Sequence, residues 1–208
     1  MVETSNLSYT YDDGTALAFP DIRLTPGEHM LVIGPSGVGK TTLLYLMAGL
    51  LPALKGSVTI DGTALNTLSR KEVDKFRGKH IGIIFQQYHF IKSLNVSDNL
   101  RLRQSFPKNT IDGKRRHELA QRLGLVEHLG KKVNALSQGQ QQRLGIALGL
   151  IHKPKIILAD EPTSNLDDGN CTKVLDLLKE EAEICQSSLL IITHDQRVKS
   201  HFKNQVVL

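Results

Sequence analysis

Three segments of the 208-residue chain carry residues whose types and spacing suit nucleotide chemistry. The first, GPSGVGKTT at 34–42, matches the pattern G-x-x-x-x-G-K-[ST], in which glycines let backbone N–H groups approach phosphates and a lysine supplies positive charge. The pattern predicts nucleotide binding and leaves the reaction open. The predicted site consists of Gly34, Pro35, Ser36, Gly37, Val38, Gly39, Lys40, Thr41 and Thr42.

The second segment, KIILADEP at 155–162, places two acidic residues behind an apolar run. A buried strand ending in Asp160 would deliver a carboxylate to the edge of the sheet where doubly wound folds bind ligands. In nucleotide-hydrolysing folds such an aspartate holds Mg²⁺ together with the hydroxyl of the phosphate loop. Glu161 would point in another direction and act on water. Taken alone, adjacent acids at a strand end more often form a helix cap or a turn.

The third segment, LSQGQQQR at 136–143, contains the S-x-x-Q spacing of a capping box at Ser137 and Gln140. This spacing predicts a helix that begins there, with the positive end of its dipole and unpaired N–H groups exposed. Such a helix start can bind an anion. An ordinary structural cap has the same spacing, so the alternative stays open.

Short β-branched runs alternate with helical patterns along the chain, which predicts an α/β fold. The run HMLVIG at 29–34 is a predicted buried strand that feeds the phosphate loop, and KTTLLYLM at 40–47 continues as a helix. Strand, glycine loop and helix are the context that the phosphate-binding pattern requires. Further strands are predicted at 57–62, which ends in an Asp-Gly turn, and at 81–85, 155–160, 188–194 and 205–208.

The pattern is mostly helical between about Gln87 and Leu150. Ser97 and Asp112 are predicted N-caps, and Leu119 and Leu123 fall on one helical face. We therefore predict one domain over 1–208, with an α/β core at 1–86 and 151–208 and an inserted helical subdomain at 87–150.

Composition and length agree with one domain, since 40% of the residues are hydrophobic. The longest apolar run, LLYLMAGLL at 43–51, is shorter than the roughly 20 residues needed to cross a bilayer. The N-terminus does not have the pattern of a signal peptide. Cys171 and Cys185 form no metal-ligand pattern, which indicates a structural role in a reducing compartment. These features predict a cytosolic protein.

The net charge of +5 raises the question of nucleic-acid binding. The basic residues are dispersed apart from 114–116 and Lys131–Lys132, and aromatic residues do not alternate with them. A solvated basic face is the favoured interpretation, and no nucleic-acid partner is expected. Such a face could also attract acidic lipid headgroups, although salt screens that attraction.

Taken together and in this order, the segments resemble the ATP-binding cassette (ABC) ATPase subunits over essentially the whole chain. The resemblance implies a P-loop core with a mainly parallel sheet, an N-terminal antiparallel β region and an inserted helical subdomain. It also implies ATP and Mg²⁺ as ligands. Thr41 and Asp160 would be metal ligands, and Tyr11 would stack on adenine.

The same resemblance assigns the remaining roles. Gln86, in the Q-loop, would contact the metal and the attacking water. Glu161 would be the general base, and His194 the switch histidine that contacts the γ-phosphate. The segment 164–167 would form the D-loop at the dimer seam, with Asp167 in it. The signature residues, which would act on the partner's nucleotide, are Ser137, Gln138, Gly139 and Gln140.

The segment at 77–100 resembles the branch that contains lipoprotein-releasing, macrolide-exporting and cell-division ATPases. Two features depart from the general pattern. Gln138 stands where the signature LSGGQ has glycine, which replaces a residue tolerant of positive φ with a polar side chain. In addition, the chain ends 14 residues after His194, so we expect it to be without the accessory C-terminal domain of many importer ATPases.

The function implied is an ATP-hydrolysing subunit that dimerises on ATP and drives an integral membrane permease, on the inner face of the cell membrane. Apolar residues beside Gln86 would contact the permease, or else pack in the core: Tyr88, Phe90, Ile91 and Leu94. One alternative is an ATP-dependent regulator of a cell-wall or signalling partner that moves no substrate. Another is an ATPase acting on DNA or ribosomes, which would usually need a long insertion or a second cassette.

Overall fold

The computed structural model describes residues 1–106, 110–164 and 166–208, which form an α/β fold. Its helices are α1 (Lys40–Met47), α2 (Arg70–His80), α3 (Val96–Ser105), α4 (Gly113–Arg122), α5 (Gln138–Leu150) and α6 (Asp168–Cys185). Its strands are β1 (Val2–Thr10), β2 (Ala16–Ala18), β3 (Arg23–Leu24), β4 (His29–Ile33), β5 (Lys55–Ile60), β6 (Thr63–Ala64), β7 (Ile81–Ile84), β8 (Ile156–Asp160), β9 (Ser188–Thr193) and β10 (Asn204–Val207).

The central sheet is parallel and has the strand order β10-β4-β9-β8-β7. Its three middle strands consist mainly of isoleucine, leucine and valine and are almost wholly buried. Near-continuous apolar strands of this kind are expected where helices or a second sheet cover both faces. The predicted strands at 29–34, 81–85, 155–160, 188–194 and 205–208 are confirmed to within one or two residues.

A second sheet is antiparallel, with β1 pairing β2, β3 and β5, and β5 pairing β6. The hairpin between β5 and β6 turns at Asp61 and Gly62, both of which have positive φ, as the Asp-Gly signal predicts. The N-terminal antiparallel region is therefore confirmed.

The core lies in two clusters on opposite faces of the parallel sheet. Leu31 and Ile157 face the cluster made with α3 to α6, whereas Val32 and Leu158 face the one made with α1 and the antiparallel sheet. The alternation along each strand follows from the two-residue period of side chains. Because both faces of the parallel sheet are packed, the positions of its strand ends are fixed. The site residues lie at those strand ends.

Helices α3, α4 and α5 occupy the range predicted to be helical. Asp112 caps α4 as expected, by accepting a hydrogen bond from the backbone N–H of Arg115 at 2.9 Å. The prediction that Ser97 caps α3 is wrong. Asn95 is the cap, because its side-chain oxygen accepts from the Asp98 N–H at 2.7 Å and the helix begins two residues earlier. Leu119 and Leu123 are both buried, as predicted.

An ion cluster ties α4 to α6. Arg115 Nη2 lies 2.8 Å from Glu181 Oε2, and both side chains are at most 5% exposed. Arg122 reaches Glu181 as well and lies 2.9 Å from Glu180 Oε2. A buried carboxylate is tolerated because two guanidinium groups neutralise it.

Both cysteines are free thiols. No helix in the described ranges has the length and apolar character needed to span a membrane. The subdomain boundaries at 87 and 150 stay a prediction.

Candidate functional site

The phosphate loop joins the end of β4 to the start of α1. Gly39 has φ +98°, a conformation that residues with a side chain rarely adopt, so the backbone favours glycine there. No side chain caps α1, which leaves its first N–H groups available to an anion. Lys40 is buried, and its Nζ donates to the carbonyl oxygens of Gly34 at 2.9 Å and Pro35 at 2.8 Å.

Thr41 and Asp160 meet across the edge of the sheet. The Thr41 hydroxyl donates to Asp160 Oδ2 at 3.0 Å, so β8 delivers its carboxylate to the phosphate loop. Burial raises the pKa of Asp160, and the hydrogen bond from Thr41 opposes that rise. A hydroxyl and a carboxylate are hard oxygen ligands. Mg²⁺ usually takes one or two carboxylates together with substrate phosphates and water, and these two residues fit that donor set.

Glu161 is turned towards the end of β9. Its carboxylate accepts hydrogen bonds from the Thr193 hydroxyl at 2.6 Å, the His194 N–H at 3.0 Å and His194 Nδ1 at 2.7 Å. Its backbone has φ +49°, a left-handed conformation that is uncommon for a residue with a side chain. Asp160 and Glu161 therefore do point in different directions, as the sequence predicts.

His194 lies half exposed at the same edge, while Glu161 is buried. Because a carboxylate oxygen accepts, His194 Nδ1 carries a proton in this contact. The imidazole thus has one ring nitrogen held by Glu161 and the other available to a ligand. The structure brings Lys40, Thr41, Asp160, Glu161 and His194 to one edge of the sheet.

Tyr11 follows β1 and lies beside the phosphate loop. Its phenol oxygen contacts the hydroxyl of Thr42, and its ring stands edge-on to the ring of Tyr9, with centroids 5.0 Å apart. Tyr11 is 40% exposed. This placement is compatible with stacking on a base, and the adenine role stays a prediction.

Gln86 is exposed and follows β7, whose end pairs with the end of β8 at Ile84 and Ala159. The apolar residues that follow Gln86 are expected either to contact the permease or to pack in the core, and they differ in this respect. Phe90 packs against the core, and the Tyr88 ring packs on Gly145, where an added Cβ would lie 2.6 Å from it. Ile91, by contrast, is 44% exposed on the rim of a groove of about 580 Å³.

The capping box at the start of α5 is confirmed. The Ser137 hydroxyl accepts from the Gln140 N–H at 3.3 Å, and Gln140 Oε1 accepts from the Ser137 N–H at 2.9 Å. Gln138 is the first helical residue and is exposed, and its φ is not positive. A side chain at this position is therefore compatible with the backbone, which removes one expected cost of replacing glycine.

The signature residues lie apart from the phosphate loop. Within the described ranges, no hydrogen bond or ion pair joins 137–140 to 34–42. Ser137, Gln138 and Gly139 are all exposed. The described part of the chain therefore presents two candidate half-sites that have no direct polar contact, one with the phosphate loop and one with the start of α5.

Asp167 caps α6, accepting from Asn170 N at 2.9 Å and Asn170 Nδ2 at 2.7 Å. These hydrogen bonds lower the pKa of Asp167. Asn165, within the predicted D-loop, lies outside the described residues. On either side of it, Ser164 N donates to Glu161 O and Arg197 donates to Leu166 O.

Four further residues of this region are not among the predicted site residues. Thr193 bonds Glu161, Gln142 Nε2 donates to Pro162 O at 2.7 Å, His128 bonds Gln140, and Arg197 joins Asp168 to Asp195. Parallel register could have indicated Thr193, because Asp160 pairs with Ile192 and the next residues on each strand must be neighbours. The other three depend on how loops and helices pack, for which the sequence gives no signal.

Comparison with known proteins gives one consistent result. The sequence profile described as ABC transporter matches residues 20–164. The lipoprotein-releasing system ATP-binding protein LolD of Psychrobacter arcticus is 33% identical over 100% of this chain and 95% of its own length. The bacitracin export ATP-binding protein BceA of Halalkalibacterium halodurans is 38% identical over 87% of this chain and 72% of its own.

Solved structures agree with these relatives. The dimeric structure of MJ0796, described as a bacterial ABC transporter cassette, superposes with a TM-score of 0.87 at 33% identity. The match covers 100% of this chain and 94% of that one. A dimeric post-hydrolysis state of the same cassette, bound to ADP and Pi, gives the same TM-score, identity and coverage.

Proposed function

The chain belongs to the ABC transporter family as an ATP-binding subunit with ATPase activity, and we propose that two copies enclose two ATP molecules and drive an integral membrane permease. The relatives belong to systems named for lipoprotein release and bacitracin export. Their names support export of a substrate, or its extraction from the membrane. The subunit would then lie on the inner face of the membrane, held there by the permease, with no nucleic-acid partner.

The observation that carries the dimer proposal is the separation of the two half-sites. Lys40 of the phosphate loop lies with Asp160, Glu161 and His194 at one edge of the sheet. Ser137 is exposed at the start of α5, away from that edge. A helix start with an exposed serine suits a terminal phosphate supplied by a second copy. The symmetric dimer then has two composite sites.

In this mechanism Lys40 exchanges the carbonyl oxygens of Gly34 and Pro35 for phosphate oxygens. Thr41 and Asp160 would hold Mg²⁺, with Gln86 as a further expected ligand, and the metal would supply positive charge to the phosphates. Glu161 accepts a proton from water as the water oxygen bonds the γ-phosphorus in line and the bond to the ADP oxygen breaks. His194 and Thr193 orient the Glu161 carboxylate, and His194 contacts the γ-phosphate.

Mixed dimers test the composite sites. A dimer of a Ser137→Arg subunit and a Lys40→Ala subunit keeps one site with both Lys40 and Ser137 intact, whereas either homodimer keeps none. We expect the mixture to hydrolyse ATP faster than both homodimers, with the permease supplied if turnover requires it. The matched control mixes Ser137→Arg with a chain carrying both substitutions, which leaves no intact site.

Equal activity of the mixture and its control would contradict the proposed arrangement. Light scattering gives an independent measurement. In the Glu161→Gln background, ATP should convert monomers to dimers, because slow hydrolysis preserves the bound nucleotide. Monomers that persist at saturating ATP, even with the permease present, would overturn the dimer proposal.

A further inference from the structure

A cavity of about 600 Å³ lies at the opposite end of the parallel sheet from the phosphate loop. His80 immediately precedes β7 and Lys155 immediately precedes β8, and both line this cavity. The phosphate loop and Asp160 lie at the other ends of the strands, about 15 Å away for strands of this length. Nothing in the proposed ATP mechanism uses this cavity. Its size is in the range of small-molecule sites.

The described lining is basic. Its positive charge comes from three lysines, Lys79, Lys153 and Lys155, against one described acid, Asp112, whose carboxylate caps α4. The other basic side chains add little charge, because Arg115 is paired with Glu181 and burial lowers the pKa of both His80 and His152. A positive potential in a concave site favours anions.

Two of the lining side chains are deeply buried, and each has one polar atom with no hydrogen-bond partner among the residues that the structure describes. Gln104 is 3% exposed and Arg115 is 4% exposed. The Gln104 Nε2 group donates to Asp112 O at 3.0 Å, which fixes the amide orientation and leaves Oε1 as an unpaired acceptor. Arg115 bonds Glu181 through Nη2, while its Nε–H remains unpaired. Buried polar atoms without partners are costly, and these atoms have almost no accessible surface. A ligand in the cavity that drew these side chains towards it would relieve that cost.

His152 adds a third such atom. Its Nε2 lies 2.9 Å from Arg103 Nη2 and 3.1 Å from Ile81 O. A guanidinium can only donate, so the shorter contact requires Nε2 to accept and Nδ1 to carry the hydrogen. Nδ1 is buried and has no partner in the described part of the chain. The unpaired groups are therefore two donors, Arg115 Nε–H and His152 Nδ1–H, and one acceptor, Gln104 Oε1.

We propose that this cavity is a second ligand site, which binds a phosphate group on a molecule that also carries a hydroxyl. The lysines and the two unpaired donors suit the phosphate oxygens, and Gln104 Oε1 accepts from the hydroxyl. A soluble hydroxylated phosphate ester and the glycerol phosphate headgroup of a membrane lipid share this chemistry. The site goes beyond the proposed ATPase function and does not depend on it.

Calorimetric titration with glycerol 3-phosphate tests the soluble source. Stoichiometric ADP and Mg²⁺ first occupy the nucleotide site, so that the phosphate loop does not compete. We expect a Kd below about 1 mM. The pair Lys153→Gln and Lys155→Gln should weaken binding about tenfold or more, since each removes a phosphate contact. The matched pair Lys71→Gln and Lys173→Gln removes the same charge from exposed positions outside the lining, and should leave the Kd unchanged.

Two further measurements test the hydroxyl contact and identify the source of the ligand. Propyl phosphate, which has no free hydroxyl on its chain, should bind at least about threefold more weakly than glycerol 3-phosphate, and equal affinity would overturn the role of Gln104. Flotation with phosphatidylglycerol vesicles, compared with phosphatidylcholine vesicles, tests the lipid source. Binding to the vesicles alone assigns the lipid, and binding to the ester alone assigns the soluble ligand. Binding to neither, or equal loss in both lysine pairs, overturns the site.

Discussion

The imidazole of His128 fixes the orientation of the Gln140 side chain at the start of α5. Gln140 Nε2 lies 2.8 Å from His128 Nε2, while its Oε1 accepts from the Ser137 N–H. An amide nitrogen can only donate, so His128 must present a lone pair at Nε2. His128, which belongs to no sequence motif, thus stabilises the capping box that positions Ser137.

Replacing His128 should therefore impair turnover more than nucleotide binding. His128→Leu removes the acceptor for Gln140, at a cost near 1 kcal/mol, and we expect kcat of the dimer to fall about fivefold. ATP affinity of the monomer should not change, because the phosphate loop is untouched. His128→Gln carries an amide oxygen with similar reach and should restore most of kcat. Equal losses in the two variants, at equal melting temperatures, would contradict this positioning role.

Glu161→Gln should bind ATP and turn it over at least about 10²-fold more slowly, because the amide cannot accept the proton from water. The fold should tolerate the change, since the Thr193 hydroxyl can donate to or accept from an amide. Thr193→Val is the informative companion variant. It removes one orienting hydrogen bond and keeps the carboxylate, so we expect a smaller loss of kcat. Near-normal steady-state hydrolysis by Glu161→Gln would refute the assignment of the base.

Much of this arrangement is predictable from sequence because strand ends determine it. The apolar runs before Gly34, Asp160 and His194 form adjacent parallel strands, so the residues that follow them must meet at one edge. The capping box at Ser137 is likewise local, because its two partners are three residues apart. Local periodicity and a fixed sheet topology thus predict both half-sites.

The residues that sequence does not predict are brought into place by packing between elements. His128 lies on a short 3₁₀ turn and contacts Gln140 in α5. Arg197 lies on another 3₁₀ turn and contacts the carbonyl oxygen of Leu166, which is distant along the chain. The wrong cap at Ser97 has a related cause. Asn95 and Ser97 are both good capping residues, and the helix start is settled by contacts of Val96 and Ser97 with Lys131 and Leu129.

His152 should make stability fall with acid. Burial, aided by the charge of Arg103, lowers the pKa of His152 from 6.5 to about 3. Between these values the unfolded chain binds a proton that the folded chain does not, so the stabilisation is present above pH 6.5 and is lost towards pH 3. We expect the unfolding free energy to fall by up to about 1.4 kcal/mol per pH unit in this window from His152 alone.

Denaturant unfolding at about pH 7 and about pH 5 measures this dependence. His152→Gln removes the titrating group, so its unfolding free energy should depend less steeply on pH than that of the wild-type chain. His117→Gln is the control, because His117 is exposed on α4 and its variant should keep the wild-type slope. Identical slopes for the wild-type chain and His152→Gln would show that another group dominates the acid response.

Gln138 departs from the signature pattern, and two variants decide whether it contacts the partner subunit. In a single subunit its side chain is exposed and its backbone is helical, so glycine is not required there. If Gln138 faces solvent in the dimer too, Gln138→Ala and Gln138→Gly should each change kcat less than about threefold, since surface substitutions are typically within ±0.5 kcal/mol. A contact made only in the closed dimer would instead lower kcat by roughly tenfold in both, with monomer ATP affinity unchanged.

The alanine variant separates side chain from backbone. Glycine at the first helical position loosens α5 by up to about 1 kcal/mol, whereas alanine does not. A loss confined to Gln138→Gly would therefore indicate a weakened helix start and not a missing contact. We expect the solvent-facing result, because the capping box already uses Ser137 and Gln140 and leaves Gln138 without a structural role. Steady-state hydrolysis measured beside ATP binding decides the question, and a roughly tenfold loss shared by both variants would overturn the solvent-facing assignment.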